Sequence, residues 1–224
     1  MKYADFERIM SSERMQRYVT ACSGDTRKAM TLYRKNLHLS QDMFTVVSCF
    51  EVALRNAIDR VMKQRWGNDW LRDAAQPGGM FGTKNTSNTQ KIIHKAYCKL
   101  GKSYTHPKLL AEMEFGVWKY MFASSEFSAS GQILLKVFPN RPRSSAAMNY
   151  NHTYVYQELD KVNKLRNRIA HHEPICFDSS TGVPSASYVV NEYQKISTLF
   201  AWMGIDAKAL LYGLDHVMKI SNDI

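Results

Sequence analysis

The sequence predicts an all-α fold on three observations. Apolar residues recur at three- and four-residue steps over two long segments, chain breakers stand at the ends of those segments, and no alternating strand pattern of any length occurs. The longest periodic segment covers about 41–65, where Met43, Val47, Phe50, Leu54, Ala57, Ile58 and Val61 trace one helical face. Ser40 stands where an N-cap belongs, and Gly67 suits the far end. Glu51 and Arg55 lie four apart on the flank of that stripe, in the favourable order for a helix-surface ion pair.

Residues 75–90 are rich in Gly, Asn, Thr and Ser and read as a surface loop, followed by a shorter helix over about 89–100. Pro107 suits the first turn of the next helix, which carries Leu110, Met113, Val117, Trp118 and Met121. The apolar stretch 131–138 is compatible with a helical turn or a strand, and the breaker run 139–143 closes it. A second long helix is expected over about 152–172, stopped by Pro174, which disfavours helical geometry at Glu173. Residues 178–187 are turn-rich. Two last helices, about 188–203 and 206–220, are parted by Gly204. Without an internal repeat or low-complexity tract, one domain spanning 1–224 is the expectation.

Bulk properties narrow the function. Hydrophobic residues make up 45% and charged residues 22% of the 224, the balance of a globular protein. No apolar run approaches the roughly 20 residues that span a bilayer. The first ten residues lack the apolar centre of a signal peptide, so a cytoplasmic protein is expected. Cys22, Cys49, Cys98 and Cys176 stand far apart with no Cys-x-x-Cys pair, which fits reduced thiols. Thirty Lys and Arg against twenty Asp and Glu give a net charge of +10, which favours polyanionic partners. The four tryptophans, Trp66, Trp70, Trp118 and Trp202, read as core residues.

One segment carries chemistry. At about 100° per residue, Leu159, Val162, Leu165 and Ile169 form a narrow apolar arc. Arg166 falls on the edge of that arc, where a guanidinium must be paired or must face a cleft or a partner surface. A salt bridge to a neighbouring helix, with Glu51 as a candidate, is the structural alternative. Asn167 and Arg168 point away from the stripe, and His171 and His172 finish the helix. The helix C-terminus favours protonated imidazole while Arg166 and Arg168 oppose it, which suits general acid–base work. Zinc is not expected, because His171, His172 and Glu173 are adjacent whereas chelating pairs on a helix stand three or four apart.

An arginine and a histidine so placed suit transesterification at an RNA phosphate. Histidine moves the protons of the 2′-hydroxyl and the leaving 5′-oxygen, and arginine offers a planar fork to phosphate oxygens. The nucleophile is internal, so the scheme calls for no metal and no cofactor.

Arg166-Asn167-Arg168-Ile169-Ala170-His171 resembles the Arg-Asn-x-x-x-His form of the motif of HEPN ribonucleases. Extended from Leu165 to Pro174, it is similar to the Abi-like (abortive infection, AbiD/AbiF-type) branch. Phe50-Glu51-Val52-Ala53-Leu54-Arg55-Asn56, Gly67-Asn68-Asp69-Trp70 and Glu114-Phe115-Gly116-Val117-Trp118 support the resemblance, which covers about 30–200. It implies a HEPN-type helical bundle with additional N-terminal helices. It also implies a homodimer in which two motif copies make one composite site.

The activity implied is metal-independent endoribonuclease cleavage in phage defence or as a toxin, restrained by an antitoxin RNA or protein. Arg166 and His171 carry over as the catalytic pair and Asn167 as an orienting residue. His172 also satisfies the spacing, so the choice of histidine is open. Lys161, Lys164, Arg168 and Arg143, with Tyr150 and Tyr154 between them, are candidates for meeting RNA, and Arg55 for helping to hold phosphate. The alternatives are a non-catalytic RNA- or partner-binding module and a modification-target helical domain controlled by an antitoxin.

Overall fold

The computed structural model describes residues 1–224. Its regular structure is twelve α-helices and three short 3-10 turns, with one isolated β-bridge between Phe177 and Pro184. The all-α expectation holds. The helices are α1 (Tyr3–Met10), α2 (Ser12–Ala21), α3 (Thr26–Trp66), α4 (Trp70–Ala74), α5 (Ser87–Leu100) and α6 (His106–Ala111). They continue with α7 (Phe115–Tyr120), α8 (Ser124–Ala129), α9 (His152–Ala170), α10 (Ser187–Trp202), α11 (Ala207–Leu210) and α12 (Val217–Ser221).

The chain divides into two compact units. One comprises Met1–Ser48, Leu165–Ser197 and Lys208–Ile224; the other comprises Cys49–Lys164 and Thr198–Ala207. The first unit buries Met15, Tyr18, Leu39, Met43, Leu165, Phe177, Val189 and Ile196. Tyr18 meets Tyr33 and Phe177 edge-on, each at 5.1 Å between ring centroids. The second buries Phe50, Leu54, Ile58, Trp70, Trp118, Phe122, Leu159 and Phe200. Each such apolar side chain contributes about 1.5–3 kcal/mol by leaving water.

Several elements differ from expectation for local reasons. Helix α3 begins fifteen residues before 41, and Ser40 lies inside it rather than capping it. The cap is Asp25, whose Oδ1 accepts from the Arg27 and Lys28 amides at 3.0 Å each. Gly67, at φ 86°, closes the far end as expected. The helix expected to follow Pro107 breaks into α6 and α7, with Glu114 extended between them. On one continuous helix Met113 and Phe115 would diverge by about 200°. The break lets both be buried.

The expected helix over 206–220 is also two short pieces. Gly213 takes φ 74°, and Asp215 turns its side chain onto the Val217 amide, a local bond that competes with helix continuation. Residues 134–137 are a 3-10 turn, which resolves the ambiguous apolar stretch, and α4 and α8 had no clear periodic signal. Trp70, Trp118 and Trp202 are buried, but Trp66 is 40% exposed and donates its indole N–H to the Ser130 carbonyl at 3.2 Å. No helix is long and apolar enough to cross a membrane.

Candidate functional site

The motif lies at the end of α9. Leu159, Val162, Leu165 and Ile169 are all buried, so the apolar arc is the seam by which the helix packs. Arg166 is half-buried at its edge, and its guanidinium takes part in no hydrogen bond or ion pair. Asn167, His171 and His172 are exposed. Arg168 differs from Arg166 in every contact. Its Nη2 donates to the Pro174 carbonyl at 2.6 Å, its Nε stands 3.5 Å from Glu173, and its guanidinium lies 4.7 Å from the Tyr188 ring centroid.

The two histidines sit in a left-handed C-terminal cap. The Glu173 amide donates to the Arg168 carbonyl at 2.8 Å, and the His172 amide donates to the Ile169 carbonyl at 3.0 Å. This 6→1 and 5→2 pairing is the Schellman arrangement, normally built around glycine. Here the left-handed residue is His172, at φ 56°. A non-glycine residue in that region costs on the order of 1 kcal/mol and persists only when its surroundings hold it.

Arg14, Asn36 and Arg17 hold the segment from outside. Arg14 on α2 donates Nη1–H to the His172 carbonyl at 2.7 Å. Asn36 on α3, itself buried, accepts from the Ile175 and Cys176 amides at 2.8 and 3.2 Å. Arg17 lies 4.3 Å from the Phe177 ring centroid. The chain leaving the motif is therefore fixed at residues 172, 175, 176 and 177, while the Arg166 head and both imidazoles stay open.

The other sequence-derived candidates belong to the second unit. Lys161 and Lys164 are exposed and pair with Glu158 at 2.6 Å and Asp160 at 2.9 Å. Lys119, largely buried, meets the same Asp160 at 2.8 Å. Hydrogen bonds from Lys119 and Lys164 hold the Asp160 carboxyl below its ordinary range. Arg143 is exposed, whereas Glu51 and Arg55 are half-buried on α3. Tyr150 and Tyr154 are not free stacking platforms: they meet each other at 4.9 Å and pack on Trp202 at 5.6 and 5.9 Å. No group of three or more His, Cys, Asp or Glu is placed to hold a metal ion.

A family profile described as "Abi-like protein" matches residues 2–176, which takes in the motif and both helices that grip its turn. The chain belongs to the Abi-like protein family. Membership connects it with abortive infection, a form of phage defence. No curated protein and no solved structure matches the chain.

Arg14 and Asn36 escaped sequence reasoning, since each acts on residues more than a hundred positions away. Asn36 left one signal, as a polar residue on the buried face of a helix, in register with Leu32, Tyr33 and Leu39.

Proposed function

We propose that this Abi-like protein is a metal-independent endoribonuclease of the HEPN type, cleaving RNA by attack of the 2′-hydroxyl on its neighbouring phosphate. The observation that carries the reading is the unpartnered, half-buried Arg166 guanidinium about one and a half helical turns before an exposed histidine pair. Arg168, at similar exposure in the same motif, is tied within the fold to the Pro174 carbonyl and Glu173. Arg166 keeps its fork for an outside anion, and phosphate is the anion that a planar bidentate donor suits.

In the proposed reaction His171 or His172 takes the 2′-hydroxyl proton and a histidine returns one to the leaving 5′-oxygen. Arg166 neutralises the phosphorane, and Asn167 helps to orient it. A second copy of the motif in a homodimer completes the proton inventory. The products carry 2′,3′-cyclic phosphate and 5′-hydroxyl ends.

The test incubates purified protein with total RNA, with and without EDTA, beside Arg166→Ala and His171→Ala. Cleavage that persists in EDTA, leaves cyclic phosphate ends and disappears in Arg166→Ala is expected, with loss in His171→Ala as well if His171 moves the proton. If both variants cut as well as the parent, the reading fails. Salt-sensitive RNA binding with no product at any concentration marks a binding module instead.

A further inference from the structure

We propose that Arg14 is a positioning residue of the site, with α2 acting as the clamp that holds the His171–His172 turn in its working shape. His172 adopts a left-handed backbone without being glycine, and its exposed side chain forms no hydrogen bond that offsets the strain. The conformation has to be fixed through the backbone. Two bonds come from α9 itself, through the Glu173 and His172 amides. The remaining one comes from α2, where Arg14 Nη1 meets the His172 carbonyl at 2.7 Å. That bond has a charged donor and the short distance typical of the stronger class.

Arg14 is itself held in place. Ser11 accepts its amide at 3.3 Å as the cap of α2, and Met15 and Tyr18 of the same helix are fully buried. Arg17, three residues on and so on the same helix face, lies over Phe177. Two arginines of α2 thus grip the segment that leaves the motif, one at its turn and one five residues later. Arg14 is exposed and has no ion-pair partner, so no structural charge pairing accounts for it. The turn it fixes sets the direction of both imidazoles, and a small misplacement of an acid–base group lowers the chemical step more than substrate binding.

Where catalysis is concerned this inference rests on the ribonuclease reading, so the experiment has two arms. In the first, hydrogen exchange is followed at the His172 and Glu173 amides in the parent, Arg14→Ala and Arg14→Lys. Exchange at both amides about tenfold faster in Arg14→Ala, with most protection restored by lysine, is expected for the loss of a charge-assisted hydrogen bond. Unchanged exchange overturns the clamp, whether or not the parent cuts RNA.

In the second arm, a parent that cleaves RNA should lose about tenfold in kcat on Arg14→Ala with KM within about twofold, and Arg14→Lys should recover most of it. A rise in KM at constant kcat makes Arg14 a simple phosphate contact and overturns positioning. An inactive parent sinks the ribonuclease reading alone and leaves the exchange arm to decide this one.

Discussion

Arg168 donates to the Pro174 carbonyl at 2.6 Å, tying the last turn of α9 to the residue that follows its cap. Two positions earlier, Arg166 has no such bond. The two arginines of one motif should therefore separate in experiment. Arg168→Ala removes a charge-assisted hydrogen bond and a ring contact and should cost about 1–3 kcal/mol of stability. Arg166→Ala removes no bonded partner and should cost less than about 1 kcal/mol, yet abolish RNA cleavage. Urea denaturation of both variants beside a cleavage assay checks the pair. A stability loss confined to Arg166→Ala would reverse the assignment.

His172 occupies the position glycine normally takes in this kind of cap. His172→Gly should raise stability by up to about 1 kcal/mol, because the strain of a side chain at φ 56° is removed. The same variant discriminates between the histidines. If His171 moves the proton, His172→Gly keeps cleavage within a few-fold of the parent. If His172 does, cleavage falls with His172→Gly while the denaturation midpoint rises.

Much of this was legible in the sequence because it is local. The arc of Leu159, Val162, Leu165 and Ile169 followed from spacing alone, as did the anomaly of an arginine on its edge. Gly67 and Gly204 marked true helix ends because both take positive φ. Ser40 misled because the segment before it has its own buried face through Leu32, Tyr33, Asn36 and Leu39, so the helix had no reason to start there. The hold on the motif turn was illegible for a different reason. Arg14 and Asn36 reach residues that only tertiary folding brings near, and no local pattern encodes such a pairing.

The basic residues should differ in their share of RNA binding. Lys161 and Lys164 already pair with Glu158 and Asp160, so releasing either to a phosphate breaks an existing contact. Arg143 is exposed in the irregular stretch before α9 and carries no such pair. Arg143→Ala should reduce the slope of log affinity against log salt by about one, and Lys164→Ala by less. RNA titrations over a salt series measure both slopes, and equal slopes would remove the distinction.

Asp59 should make stability depend on acid pH. Its Oδ1 accepts from Trp70 Nε1 at 2.8 Å and pairs with His106 Nε2 at 2.7 Å, while Oδ2 meets Lys63 at 2.7 Å. Burial raises the pKa of the carboxyl, but the hydrogen bonds from Lys63, His106 and Trp70 outweigh it and hold the group below its ordinary range. A carboxyl with a lowered pKa in the folded state contributes stability that is fully present above the unfolded value of about 4 and is lost as pH falls through the folded value. Stability of the parent should therefore drop below about pH 4 for this reason, along with its other paired carboxylates. Asp59→Ala should cost about 3 kcal/mol at neutral pH, since it strands the buried His106 and the Trp70 indole N–H. The difference between parent and variant should shrink steadily as the pH is lowered through that window. Urea titrations at a series of pH values measure it, and a difference that stays constant into strong acid would show that Asp59 contributes by packing instead of by charge.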